Sequence, residues 1–352
     1  MKDSNPSGKC GKLEPPSEMF WRLLVSSAAL LCGIIDYAGL FPPAALPSDQ
    51  ALENYARYLG EKEAWLLGRF VCPAARLQEI VPLASKLPRG MKPLVIAVVG
   101  RGGKDAQDYF ANVKADLGDM ARLRETLGDA VSVTSYEVRL PASAFSPLKT
   151  NQLSSLIATT AYLCETAGPS SLTPFFESPL TDRAALLAVI QALHDDHHSS
   201  EARARRRCLP AGFKLRAGGL EPAAIPTSAQ VALVLGACAA ARVPFKATAG
   251  LHHPLRHYNK EMNAVMHGFV NVFAAGCLAM VHHLNEETVL AIVDEQDGAK
   301  FLLAPDGLRW RGLEANAAAI AEARMVFTSF GSCSFDEPRD DLRRLGWLKE
   351  GS

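Results

Sequence analysis

The sequence predicts a single α/β domain closed as a (β/α)8-type barrel, with an N-terminal helix and an insertion between strands 7 and 8. Three observations lead there. Eight short apolar or β-branched runs recur along the chain, helical segments alternate with them, and a dinucleotide-binding fingerprint is missing. Strict strand–helix alternation implies a parallel sheet, and eight such units close more readily into a barrel than an open sheet. An open doubly wound sheet is the alternative. It would favour G-x-G-x-x-G after the first strand, whereas Val-Gly-Arg-Gly-Gly at 99–103 lacks that spacing and reads as a strand-ending turn.

Residues 1–16 are rich in Lys, Ser, Gly and Pro with little to bury, and are expected to form a disordered tail before a barrel domain over 17–348. The apolar run 23–35 is too short to span a bilayer and lacks a cleavage-site pattern, so it is read as a helix packed on the domain. Strands are expected at 33–40, 65–71, 93–100, 131–138, 172–178, 212–217, 243–250 and 325–331. Helices are expected at 49–59, 74–85, 106–127, 151–166, 182–194, 228–242 and 313–323. Ser48, Asp105, Thr181 and Thr227 stand where N-caps belong. The seventh unit is irregular. A histidine-rich loop, an apolar helix over about 260–283 and a hairpin near Pro305-Asp306-Gly307 make an insertion at about 251–311 that would lie over the barrel mouth.

Lys plus Arg and Asp plus Glu number 37 each, so no overall field draws the chain to nucleic acid or an anionic membrane. The basic run EARARRR at 201–207 has no interleaved aromatics and reads as a solvated connection. Eight cysteines without a C-x-x-C pair sit mostly in apolar stretches, which favours reduced thiols and a cytoplasmic setting. The expected partner is a small-molecule substrate; a homo-oligomer is compatible with the composition.

Chemistry in such barrels stands at the C-terminal strand ends. There the chain places Asp36, Arg69, Glu137, Arg139, Glu177, Lys214, Arg216, Lys246, Thr248, His252, His253 and Cys333. The sharpest segments are Phe-Lys-Leu-Arg-Ala-Gly-Gly at 213–219 and Phe-Lys-Ala-Thr-Ala-Gly at 245–250. With a period of two, Lys214 and Arg216 share one face of their strand, as do Lys246 and Thr248 of theirs, so both lysines can point into the barrel while the phenylalanines pack outward. Burial or a neighbouring cation lowers an amine pKa and frees a nucleophile, which would let Lys246 activate Lys214. Equally, Glu137 and Glu177 could neutralise both lysines in a buried network.

These two segments resemble the sixth and seventh strands of deoxyribose-phosphate aldolase and related Schiff-base aldolases. That resemblance implies a barrel in which Lys214 forms the imine and Lys246 tunes it. The family's Lys-Thr-x-Thr-Gly is Lys-Leu-Arg-Ala-Gly here, with Arg216 in place of a small residue. GLFPPA, FKATAGLHHP, HGF-x-N-x-F and FGSCSF are similar to segments of a group of bacterial (β/α)8-like proteins, a likeness that brings no activity with it.

The expected function is therefore an aldolase- or lyase-like enzyme acting on a small anionic carbonyl compound, a sugar phosphate or keto acid, without a cofactor. Lys214, Lys246, Glu137 and Glu177 are the candidate catalytic residues. Arg69, Arg216, Gly218, Gly219, Thr248, His252, Asn263, His267 and Ser332 are the candidate substrate contacts. A second reading is a metal-dependent isomerase or hydrolase, with Glu137, Glu177, His252 and His253 holding a divalent cation. A third is a non-catalytic metabolite-binding or scaffold barrel using Asn263, His267 and Asn271, which recur every four residues and would form one polar helical stripe. Cys333, in Gly-Ser-Cys-Ser-Phe, is read as turn structure or an anion contact rather than a nucleophile.

Overall fold

The computed structural model describes residues 28–84, 93–169, 172–179, 182–199, 210–304 and 306–348. The tail, residues 23–27 of the 23–35 run, Thr181, the basic run at 201–207 and Pro305 lie outside them.

Eight parallel strands close the barrel: β1 Ile35–Tyr37, β2 Leu67–Pro73, β3 Leu94–Val99, β4 Val131–Arg139, β5 Thr173–Glu177, β6 Gly212–Arg216, β7 Phe245–Thr248 and β8 Phe327–Ser332. Each falls on a run the sequence singles out. Neighbours in the barrel are consecutive in the chain, and β1 pairs with β8 through Ile35–Phe330, Asp36–Gly331 and Tyr37–Ser332 to complete the closure. Outward residues such as Phe176, Phe213, Phe245 and Phe330 are buried beneath the helices and carry the main apolar core. The inward residues are available for a site.

The helices begin where local chemistry allows. Asp105 accepts from the Asp108 amide, and Thr227 with Gln230 forms a capping box at the start of helix Ser228–Ala241. That helix is apolar all round because it packs against helices Arg183–His198, Phe269–His282 and Glu286–Val293. With its leading turn, Pro222–Ala241 is long and apolar enough to cross a membrane by length and composition alone. The turn after β3 is pinned by buried Asp116, which accepts from the Arg101 amide at 3.0 Å and the Tyr136 hydroxyl at 2.8 Å.

Three expectations about the later chain are corrected. The apolar helix starts at Phe269, because residues 257–266 form a hairpin pairing His257–Asn259 with Ala264–Met266. Leu313–Asn316 is a strand and not helical: it joins Phe301–Ala304 and Gly307–Trp310 in an antiparallel sheet, and Asn316 then caps helix Ala317–Arg324. The insertion does not all lie over the mouth. Helix Phe269–His282 packs on the outside of the barrel, its Phe269 ring stacked on Phe330 at 4.8 Å, and takes a place in the outer ring of helices.

Candidate active site

Inside the barrel a row of alternating charges links five strands. Lys214 of β6 lies between two carboxylates, with Nζ 2.9 Å from Glu137 Oε2 and 3.1 Å from Glu177 Oε2. Glu137 turns its other oxygen to Lys246 of β7, 2.9 Å away, and Lys246 also pairs with Asp36 of β1. Asp36 accepts from Ser329 Oγ at 2.7 Å and from the Arg69 amide at 2.7 Å. Asp36, Glu137, Glu177, Lys214 and Lys246 are all buried.

Register explains the convergence. Glu177 and Lys214 are Cα partners across β5 and β6, and Lys214 and Lys246 across β6 and β7. Glu137 lies two strands from Lys214 and reaches around the inner wall. Gly68 makes room at the far end, since a Cβ there would stand 2.3 Å from Asp36 Oδ1. Gly68→Ala is expected to displace Asp36 and lower the urea midpoint, at a cost of about 1–3 kcal/mol as for other overpacked interiors; an unchanged midpoint would refute that crowding.

The electrostatics follow from who touches whom. Burial pulls the Lys214 amine down, but Glu137 and Glu177 outweigh it and hold it above the ordinary lysine value. Burial pushes Glu137 up, yet Lys214 and Lys246 keep it below the usual carboxylate range. Asp36 is likewise held low by Lys246 and Arg69 against its own desolvation. The expectation that Lys246 depresses the Lys214 pKa is thus corrected: Glu137 stands between the two cations and screens one from the other. The resting site is an ion-paired network, as the second reading of the lysines allowed. The lysines still differ in access, Lys214 keeping 5% of its side chain exposed and Lys246 only 1%.

Other predicted contacts have different places. Arg69 is committed inside the barrel, donating from Nε to Thr134 Oγ1 at 2.9 Å and lying 3.5 Å from Asp36. Arg216 stands exposed at the mouth and donates from Nε to the Gly218 carbonyl at 3.1 Å. Gly218 and Gly219 serve packing, because a Cβ on Gly218 would meet Gly250 Cα at 2.9 Å and one on Gly219 would meet Ala224 Cβ at 2.7 Å. Thr248 ends β7 beside Gly331, half-buried. Ser332 is buried, and its hydroxyl accepts from the Ser334 amide at 3.3 Å in the turn after β8. Cys333 is half-buried there, its thiol pushed up by burial.

The histidine loop is tied elsewhere. His252 Nδ1 meets Glu337 Oε2 at 2.9 Å and His253 pairs with Asp341, both on helix Asp336–Arg344. Glu137 and Glu177 are occupied by lysine, and among the described residues no group of three His, Cys, Asp or Glu side chains is arranged to hold a metal ion. The polar stripe does not exist as a helical face. Asn263 has φ 47° in the hairpin turn, His267 precedes the helix and reaches the Pro226 carbonyl at 2.8 Å, and Asn271 donates to the Ile292 and Glu295 carbonyls. Burial lowers the His267 pKa, which suits this neutral tether.

Asp36, Ser329 and Arg139 belong to the site without being among the expected catalytic or substrate-contact residues. Asp36 and Arg139 stand among the ionisable strand ends; Ser329 had only its alternation with Gly331 to mark it. Ser135, two residues before Glu137, carries a buried hydroxyl without a hydrogen-bond partner.

No protein-family profile matches the chain, and no curated protein matches it. Solved structures similar to it include "QR15, an Aldolase", 12% identical with a TM-score of 0.48 over 91% of this chain and 99% of that one. Malate synthase from Haloferax volcanii is 9% identical with a TM-score of 0.39, over 88% and 78% of the two chains. The fold and site described above rest on the strand closure and side-chain geometry alone.

Proposed function

We propose that the protein is a lyase-type enzyme that forms an imine between Lys214 and a small anionic carbonyl compound. The observation carrying this reading is a lysine midway along β6 that touches two carboxylates and keeps 5% of its side chain exposed, beside a second lysine with only 1% exposed. Lys214 is the nucleophile because it is the reachable amine. Lys246 is a positioning residue, a fixed cation that keeps Glu137 ionised between two ammonium groups.

The chemistry begins with loss of a proton. Lys214 rests as an ammonium, so Nζ must pass a proton to a carboxylate before it attacks. Glu177 is assigned as the acceptor: it gives up one lysine contact on protonation, whereas Glu137 would give up two. The amine lone pair adds to the carbonyl carbon, the carbonyl π pair moves to oxygen, and two proton transfers release that oxygen as water to leave a protonated imine. Its positive charge draws electrons from the bond one carbon away, which is the step a carbon–carbon lyase uses.

Reduction of the imine tests this. Incubation of the full chain with a panel of carbonyl metabolites and cyanoborohydride should raise the intact mass by one reduced adduct; an unaltered mass with every member of the panel removes the reading. A pH dependence follows from the signs. Because the Lys214 pKa is raised by two carboxylates, the labelling rate should climb with pH into and beyond the ordinary lysine range near ~10.4. Glu177→Gln removes one of the two raising charges, so the climb should move to lower pH. The same change removes the proton acceptor and should slow labelling at neutral pH by about 10²–10⁴-fold. A profile that stays in place or moves to higher pH counts against the assignment.

A further inference from the structure

The inner wall opposite the lysines is made of something else. In an eight-membered ring ordered β1-β8-β7-β6-β5-β4-β3-β2, β6 faces β2 and β7 faces β3. Asp36 and Arg69 point inward, so by alternation Ala38 and Val71 share that face. Ala97 pairs with Val71 across β2 and β3. Ala38, Val71 and Ala97 form an apolar cluster separate from the main core, with Phe41 and Val99 half-buried against it. Beyond Asp36 and Arg69, β1–β3 therefore present a small apolar patch across the interior from the charged residues of β4–β7.

The anion contact is also constrained. Arg69 is spent on Asp36 and Thr134, and Arg216 is turned to the Gly218 carbonyl. The glycines of the β6 turn are closely packed, Gly218 against Gly250 and Gly219 against Ala224. Arg139 remains, 63% exposed at the end of β4, with Nε 3.8 Å from Glu177 Oε1. Lys214 touches the other oxygen of the same carboxylate at 3.1 Å. An anion on Arg139 thus sits one carboxylate group away from the amine that attacks the carbonyl. That reach fits a carboxylate bonded directly to the carbonyl carbon, and an arginine fork binds a carboxylate through two parallel hydrogen bonds.

We propose that the site takes short 2-oxo acids with a small apolar tail, the carboxylate on Arg139, the carbonyl carbon at Lys214 and the tail against Val71 and Ala97. This rests on the imine reading above, and the experiment separates the two. Lys214 labelling by cyanoborohydride is followed by peptide mass spectrometry with 2-oxobutanoate, oxaloacetate, glyceraldehyde 3-phosphate and butan-2-one. 2-Oxobutanoate is expected to half-label Lys214 at a concentration at least tenfold below that of the sugar phosphate and of oxaloacetate, whose second charge meets the apolar wall. Arg139→Gln is expected to raise the half-labelling concentration of 2-oxobutanoate at least tenfold more than that of the uncharged ketone. Labelling that favours the sugar phosphate or oxaloacetate, or an Arg139→Gln effect equal for acid and ketone, overturns the substrate class and leaves the imine intact. Absence of any adduct on Lys214 overturns both.

Discussion

Replacing Glu137 by alanine is expected to destabilise the protein by about 3 kcal/mol at neutral pH, the lower end of the range for breaking a buried ion pair. Glu137 is the shared counter-charge of two buried lysines, and its removal leaves each with only one carboxylate, Glu177 for Lys214 and Asp36 for Lys246. The loss is not the full penalty of an isolated charge because those partners remain. Its pH dependence has a definite sign. The folded-state pKa of Glu137 is depressed, so the stability it confers is present above the ordinary carboxylate range and is lost as pH falls through the depressed value. The gap between wild type and Glu137→Ala should therefore shrink in acid. Urea titrations at neutral pH and below pH 4 measure it, and a gap under about 1 kcal/mol at neutral pH would mean that the network is worth no more than a surface pair.

Lys214→Arg separates chemistry from architecture. The guanidinium keeps the positive charge and can bond to both Glu137 and Glu177, so the fold should survive with about 1–3 kcal/mol of loss from overpacking. It cannot lose its proton to become an amine nucleophile, so adduct formation with any carbonyl should fall to background. Circular dichroism together with intact mass after reduction measures both. Undiminished adduct in a folded Lys214→Arg protein would show that the labelled amine lies elsewhere.

The barrel was readable because its signal is local. Each of the eight strands is a short, largely apolar run, and in β4 to β7 period two alone brings Glu137, Glu177, Lys214 and Lys246 to one interior. Partnership was not local. Asp36 and Lys246 stand 210 residues apart and meet only because β1 and β7 both flank β8, a fact of closure rather than composition. For the same reason the direction of the Lys214 shift could not be read from two neighbouring lysines until the carboxylate between them was placed. The Asn263-His267-Asn271 spacing misled because a four-residue recurrence marks a face only where the backbone is helical, and Asn263 occupies a left-handed hairpin turn. Leu313–Asn316 misled in the opposite way, since a strand ending in a capping Asn runs directly into a helix.

In the proposed mechanism Lys214, and not Lys246, is the amine offered to a carbonyl. Peptide mapping of the wild-type protein after incubation with 2-oxobutanoate and cyanoborohydride tests it most directly. One reduced adduct is expected, carried on Lys214, with Lys246 unmodified. An adduct on Lys246, or none on either lysine, would contradict it.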